Sequence, residues 1–197
     1  MNFFTHNSKE TSEEWGTKAI RFYRTLGFFN QYNGLGDEDL SDQLLSLHES
    51  EWGENIDPKD ELAGLQLLKW DEERVWWQDT EADVCGENKV YVQNLLEWGH
   101  ISRGAFKPTN IEETWQNEDG PIAVAFSLDN TQHSIRPSYQ DDYIDLSVIP
   151  QINNLIADSN LRFEIHTAFD QTAFIVVLTP EEKRFIERER KLSFAQL

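Results

Sequence analysis

Three aspartates in the second half of the chain are the first residues whose spacing could support catalysis. Asp141, Asp142 and Asp145 could bring carboxyl groups together, and paired carboxyl groups perform acid–base catalysis and glycoside hydrolysis. His166 lies on a predicted strand and could add a proton donor or acceptor to such a site. The same pattern is also typical of an acidic loop that leads into a helix capped by Ser147, with His166 on a solvent-exposed strand face.

Other common catalytic and metal-binding patterns are absent from the sequence. The five histidines have no HExxH or HxH spacing, and Cys85 has no CxxC partner. The acidic neighbours of Cys85, which include Glu81 and Asp83, disfavour the thiolate that a nucleophilic cysteine needs. No GxSxG, Walker or GxGxxG motif occurs. We therefore expect no metal, no cofactor and no catalytic activity.

The excess of acidic side chains is concentrated in one stretch of the chain. The 197 residues contain 36 Asp and Glu against 17 Lys and Arg, which gives a formal net charge of -19. Residues 37–87 alone hold seventeen acidic and three basic side chains. This charge would repel phosphate groups, so the composition argues against nucleic acid or an anionic membrane as a direct partner.

The acidic stretch 37–87 has two interpretations. A solvated acidic surface keeps a protein soluble without binding anything. A concentrated negative field also speeds the encounter with a basic protein, and tryptophans such as Trp52 and Trp70 in this stretch often anchor interfaces. Core packing explains any single tryptophan as well. Under the second interpretation, the candidate contact residues are Asp71, Glu72, Glu73, Trp76, Trp77, Asp79, Glu81 and Asp83.

Composition also bears on the compartment and on the number of domains. The longest wholly apolar run, residues 173–178, is too short to cross a membrane. The first residues lack the charged and apolar regions of a secretory signal, and a single cysteine fits a reducing compartment. With 39% hydrophobic and 12% aromatic residues, the chain has enough apolar surface for one core. We expect a cytoplasmic protein that folds as a single domain over residues 1–197.

Hydrophobic periodicity predicts mostly helices in the first half of the chain. Thr11 and Glu14 match a capping box, and leucines recur at helical spacing further along. The β-branched and aromatic run 74–78 predicts a strand instead. The predicted helices cover 11–32, 38–49, a segment that begins at Pro58, and 88–98.

The second half of the chain alternates predicted strands and helices. Bulky and small side chains alternate over 122–128, and Asp129-Asn130 provides a turn into a further strand. A capping box at Thr179, with proline at the next position, opens the last helix. Residues 121–191 therefore predict the order β-β-α-β-β-α. The fold class we expect is α+β, in which N-terminal helices precede a mostly antiparallel sheet with helices packed on it.

Two parts of the chain carry a resemblance to a known group of proteins. One is the segment RVWWQDTEADVCGENKVYVQNLLEWGHISRGAF from Arg74 to Phe106, and the other comprises the later motifs GPIAV, DDYID and QTAFIVVLTPEEK. Over residues 61–194 the chain resembles small acidic bacterial proteins found beside polymorphic or contact-delivered toxins and taken to be immunity proteins. The resemblance implies a cytoplasmic inhibitor that binds and blocks one cognate toxin, often a basic nuclease or other effector. The resemblance does not assign a functional role to any individual residue of this chain.

The sequence thus predicts a non-catalytic binding protein, with an immunity protein as the leading hypothesis. Its carboxylates would pair with Lys and Arg of a basic toxin while its tryptophans supply buried area. Two alternatives are an enzyme and a structural or assembly subunit of a phage or secretion system. The enzyme would use the candidate site Asp141, Asp142, Asp145 and His166. The oligomeric state stays open.

Overall fold

The computed structural model describes residues 10–168 and 171–195, and the chain divides into two compact units. Unit 1 comprises residues 1–70 and unit 2 comprises residues 71–197. The described residues of unit 1 are helical, whereas those of unit 2 contain six strands and three α-helices. The expectation of a single domain over 1–197 stays a prediction.

Unit 1 is built around helices that pack through their apolar faces. The capping box predicted at Thr11 is confirmed, because the Glu14 N–H donates to Thr11 Oγ1 over 3.2 Å and the Thr11 N–H donates to Glu14 Oε2 over 3.3 Å. Gly16 lets the first two helices approach closely, since a side chain there would collide with Ser41 Oγ. The helices of unit 1 are α1 (Ser12–Arg24), α2 (Asp37–Trp52) and α3 (Ala63–Leu68).

The helix predicted over 11–32 is shorter in the structure. α1 ends at Arg24, and Gly27 follows in the left-handed region with a φ of 75°. The Phe28 N–H then donates to the Tyr23 carbonyl over 3.2 Å, which is a typical way to satisfy the last carbonyls of a helix. Apolar residues continue to recur at helical spacing beyond this cap, and for that reason the sequence pattern predicted the end of the helix too far along the chain.

The prediction that a helix begins at Pro58 is also wrong. Asp57 Oδ1 accepts a hydrogen bond from the N–H two residues later over 3.0 Å, and Asp60 Oδ1 does the same over 2.8 Å. These side-chain turns compete with helical hydrogen bonding for the same backbone groups. The helix therefore begins only at Ala63.

Unit 2 combines strands and helices, and its order over 121–191 is the predicted one. Its strands form two three-stranded antiparallel sheets, with the orders β1-β6-β5 and β2-β3-β4. The α+β class and the order β-β-α-β-β-α over 121–191 are thereby confirmed. The elements in chain order are β1 (Val75–Asp79), α4 (Val90–Ile101), β2 (Thr109–Trp115), β3 (Ile122–Leu128), β4 (Thr131–Ile135), α5 (Val148–Leu155), β5 (Arg162–Ala168), β6 (Thr172–Leu178) and α6 (Pro180–Arg190).

The sheet β2-β3-β4 contains one element that the sequence pattern did not reveal. The hairpin of β3 and β4 is as expected, because Asp129 and Asn130 both have left-handed φ values, 50° and 64°, as a two-residue hairpin loop requires. β2 was not predicted. One inward-facing residue of β2 is Glu113, which is 3% exposed. Because this residue is charged, β2 lacks the usual alternation of apolar and polar residues that predicts a strand.

The core of unit 2 is contributed by both sheets and by α4 and α5. Trp76 of β1 packs edge-to-face on Trp98 of α4, with ring centres 5.8 Å apart. Phe106 packs in the same way on Phe126 of β3 and Phe163 of β5. Such pairs bury large apolar areas in preferred geometry, so β1 and α4 are held together by aromatic packing.

Candidate functional site

The acidic stretch 37–87 lies almost entirely at the surface. Fifteen of its seventeen carboxylates are exposed, and the exceptions are Asp37, which is half-buried, and Asp71, which is buried. Of the fifteen, Glu51 alone forms an ion pair with another residue that the structure describes. The negative charge of this stretch is therefore largely uncompensated by the residues that the structure describes.

The helix α2 carries the first part of this charge. It contains six acidic residues and no basic residue over its 16 positions. Helical spacing places Glu38, Asp42 and Glu49 along one side of the helix, and Trp52 ends the same row. We call these four residues the α2 surface.

Trp52 is an exposed aromatic residue whose ring is fixed by its neighbours. Its side chain is 55% exposed, and the His48 ring stacks on it with centres 6.2 Å apart. Lys69 Nζ lies 4.8 Å from the centre of the Trp52 ring and also pairs with Glu51. A rigid, exposed indole is a favoured anchor for a protein interface. The candidate list from the sequence did not include Trp52, although its spacing from Glu49 was a usable signal.

The predicted contact residues in unit 2 divide between surface and interior. Asp71 is buried and Trp76 is 4% exposed, so neither can meet a partner at the surface. Trp77 is half-buried and packs edge-to-face on Phe174, with ring centres 6.1 Å apart. The exposed members, which we call the β1 surface, are Glu72, Glu73, Asp79, Glu81 and Asp83.

The burial of Trp76 follows from the geometry of β1. Successive side chains of a strand point to opposite faces, and Trp76 lies opposite Ile175 of β6 on the face that belongs to the core. Its indole N–H donates to Glu97 Oε2 over 2.8 Å, so the buried polar group is satisfied. A cavity of about 380 Å³ lies between β1 and α4, and Trp76 and Glu97 both line it. We call it the β1–α4 cavity.

Asp145, a member of the alternative catalytic site, serves its own loop. It is 1% exposed, and its carboxylate accepts the N–H of Ser138 over 2.7 Å and the N–H of Ser147 over 2.9 Å. Gln140 donates a further bond over 3.3 Å. Ser147 occupies the N-cap position of α5, but its own side chain makes no capping bond. Asp145 therefore ties the loop to the start of the helix.

The other members of the alternative site are less buried than Asp145. Asp141 and Asp142 are exposed, and His166 lies on β5 opposite Phe174 of β6. A cavity of about 350 Å³ has Asp145 in its lining but none of the other three. Within residues 10–168 and 171–195, no group of three or more His, Cys, Asp or Glu side chains is arranged to hold a metal ion. The enzyme hypothesis stays an alternative prediction.

Glu113 is a buried carboxylate that sequence analysis missed. Its Oε2 accepts the N–H groups of Tyr91 and Val92 over 3.0 and 3.3 Å, and its Oε1 accepts the Trp115 indole N–H over 2.8 Å. The N-cap position of α4 is Lys89, which makes no side-chain capping bond. Glu113 thus caps α4 from the neighbouring strand β2, and its role is structural.

Comparisons of the chain with protein-family models, with curated proteins and with solved structures found no match. No helix in the described part of the chain is long and apolar enough to cross a membrane. The α2 surface, the β1 surface and the β1–α4 cavity are the features on which a functional proposal can be based.

Proposed function

We propose that this chain is a non-catalytic binding protein that engages a basic protein partner through the exposed carboxylates of residues 37–87. The observation that carries the proposal is that fourteen of these fifteen carboxylates have no ion-pair partner among the described residues. A surface that serves only solubility commonly mixes both signs of charge. An uncompensated acidic surface attracts a positively charged partner and rejects others.

The partner that we propose is a cognate toxin, and the mode of action is occlusion. The resemblance in the Arg74–Phe106 segment supports an immunity protein that acts in the cytoplasm. Carboxylates of the α2 surface would pair with Lys and Arg of the toxin, and Trp52 would become buried in the interface. If the toxin is a nuclease, these carboxylates would occupy the positions where its substrate phosphates bind.

The decisive test reverses the charge of the α2 surface in the full chain. The partner is recovered from the source cell at low salt and identified, and its affinity is measured for wild type and for the triple variant Glu38→Lys, Asp42→Lys, Glu49→Lys. We expect the triple variant to bind about 100-fold more weakly, because attraction becomes repulsion at three contacts. Coexpression with the toxin should then no longer protect the cell.

A matched control separates local contacts from net charge. The triple variant Glu112→Lys, Glu118→Lys, Asp158→Lys makes the same change in charge at exposed positions outside the stretch. It should bind within about threefold of wild type at physiological salt, because these residues are not among the proposed contacts. An equal loss in both triple variants, or failure to recover any basic protein at low salt, would contradict the proposal. Thermal unfolding of each variant verifies that it is folded.

A further inference from the structure

The β1–α4 cavity has a lining of polar and apolar side chains with no positive charge. Its volume of about 380 Å³ is at the small end of the range for ligand pockets, so it suits one side chain with a short piece of backbone. The lining includes the carboxylates of Asp79 and Glu97 and the amides of Gln93 and Asn94, and it includes no lysine or arginine. A ligand of positive charge is therefore favoured over an anion.

Asn94 provides an observation that is independent of the charge. Its side chain is 4% exposed, and its Nδ2 has no hydrogen-bond partner among the residues that the structure describes. A buried amide donor without an acceptor is unfavourable, and most such groups in proteins are satisfied. Asn94 lines the cavity but its Nδ2 has almost no accessible surface, so an oxygen acceptor in the cavity would satisfy this donor once the amide rotates toward the cavity.

The two carboxylates retain capacity for further hydrogen bonds. Glu97 accepts one bond at each oxygen, from Trp76 Nε1 over 2.8 Å and from Gln93 Nε2 over 2.6 Å. Asp79 Oδ1 accepts the Glu81 N–H over 2.9 Å. A carboxylate offers about four acceptor sites, so both groups have sites left for a donor in the cavity. A guanidinium has five donors in a planar array and can serve two carboxylates together.

We propose that the β1–α4 cavity is a socket for an arginine side chain of the basic partner. The guanidinium donates to Glu97 and Asp79, and the Asn94 amide rotates so that its Nδ2 donates to a carbonyl oxygen of the same segment. This inference rests on the proposed function, since it names the group that the partner presents to unit 2. Leu96 is 51% exposed and neighbours Gln93 on the surface of α4, so the partner segment also meets an apolar side chain beside the socket.

The test uses nuclear magnetic resonance on the nitrogen-15-labelled full chain. The probe is acetyl-glycyl-arginyl-glycine amide, and the comparison peptide carries citrulline, which keeps the shape of arginine but has no charge. We expect the arginine peptide to shift the indole N–H of Trp76 and the side-chain amide of Asn94 with saturation. Its affinity should exceed that of the citrulline peptide by at least about tenfold, because charge-assisted bonds to carboxylates are the stronger ones.

Two variants and one control assign the effect to the socket. Glu97→Gln removes the charge while it keeps the shape, and the preference for arginine should disappear. Asp79→Asn, at an exposed position, should weaken the preference and gives an independent test if Glu97→Gln does not fold. Glu118→Gln, in an exposed loop outside the cavity, should bind the arginine peptide as wild type does.

The results also separate this inference from the proposed function. Equal affinity for both peptides, a preference that survives in both Glu97→Gln and Asp79→Asn, or occupancy by spermidine in place of the arginine peptide would overturn the socket. If the cavity shows no preference for arginine while charge reversal of the α2 surface still weakens partner binding, the socket is excluded and the proposed function is supported. If the socket binds arginine while the α2 variants bind the partner normally, the proposed function fails instead.

Discussion

Helices α2 and α6 are both rich in charged residues, yet their charges have different roles. α2 has six acidic and no basic residues, whereas α6 has four of each. On α6, Lys183 Nζ lies 2.7 Å from the Glu164 carboxylate of β5, and the Glu182 carboxylate lies 2.6 Å from Arg103. On α2, the ion pairs are confined to positions near the two ends of the helix. Carboxylates thus attach α6 to its unit, whereas the α2 carboxylates other than Asp37 and Glu51 are exposed and form no ion pair with a described residue.

This difference teaches that the position of a carboxylate, rather than its number, decides its role. An exposed carboxylate without a partner contributes little to stability and is available for binding. A carboxylate bonded to backbone N–H groups or to an arginine contributes to folding, and the buried Glu113 and Asp145 belong to this second kind. Substitutions that separate stability from binding therefore test the distinction.

The largest loss of stability is expected at Glu113. Glu113→Ala leaves the N–H groups of Tyr91 and Val92 and the indole N–H of Trp115 without their acceptor inside unit 2. We expect the free energy of unfolding to fall by about 3 kcal/mol, since each buried donor left unsatisfied is costly. Urea denaturation followed by circular dichroism measures this change.

The adjacent residue provides the control for Glu113. Glu112 is exposed on the same strand, so Glu112→Ala should change the free energy of unfolding by no more than about 0.5 kcal/mol. Similar costs at both positions would show that burial and bonding do not distinguish the carboxylates of unit 2. The distinction between structural and exposed carboxylates would then be wrong.

A second pair of substitutions compares the two helices directly. Glu182 Oε2 accepts the Thr179 N–H over 2.7 Å and pairs with Arg103. Burial raises the pKa of Glu182, but these two bonds and the charges of Arg103 and Arg74 together outweigh it and hold the pKa below its ordinary value. We expect Glu182→Ala to lower the free energy of unfolding by about 2 kcal/mol, because it removes a capping box and leaves an arginine without its partner.

On α2 the corresponding substitution should have almost no effect on the free energy of unfolding. Asp42→Ala removes an exposed carboxylate with no ion-pair partner in the described part of the chain, and alanine favours helix, so stability should change by less than about 0.5 kcal/mol. Partner affinity should respond in the opposite pattern, with a loss for Asp42→Ala and none for Glu182→Ala. A destabilisation of Asp42→Ala as large as that of Glu182→Ala would make the α2 carboxylates structural and would contradict the proposed function.

The parts of the fold that the sequence predicts correctly depend on close neighbours in the chain. The capping boxes at Thr11 and Thr179 involve residues three positions apart, and the Asp129-Asn130 turn depends on two residues. β2 escaped prediction because Glu113 occupies an inward position, and its acceptor groups are satisfied by a helix more than twenty residues away. No local pattern contains that information.

The candidate site could be predicted only as far as its charge. An acidic stretch is visible in the sequence, and the structure adds which of its residues are exposed. Trp76 and Trp52 lie in the same stretch, yet Trp76 packs in the core and Trp52 is exposed. The β1–α4 cavity brings together Asp79, Asn94 and Glu97, which come from two elements, so it depends on packing that the sequence does not show.

The smallest effect that we predict concerns His48, the histidine on the buried face of α2. Burial lowers the pKa of His48 and the nearby Lys69 lowers it further, whereas Glu51 and Glu54 act in the opposite direction. Because the folded-state pKa lies below the ordinary value of 6.5, the unfolded chain takes up the proton first as the pH falls. The stability contributed by His48 is therefore fully present above about pH 6.5 and is lost as the pH falls from there through the folded-state pKa.

His48→Gln should accordingly flatten the decline in unfolding free energy between about pH 7.5 and 5.5, measured by urea denaturation at constant ionic strength. Ser46, an exposed residue of α2 without a titratable side chain, is the control, and Ser46→Gln should leave that decline unchanged. If the carboxylates of α2 governed His48 instead of burial, its pKa would be raised, and its removal would make the decline steeper. That result would mean that the charge of α2 acts on its own unit, as the charge of α6 does, and the contrast between the two helices would disappear.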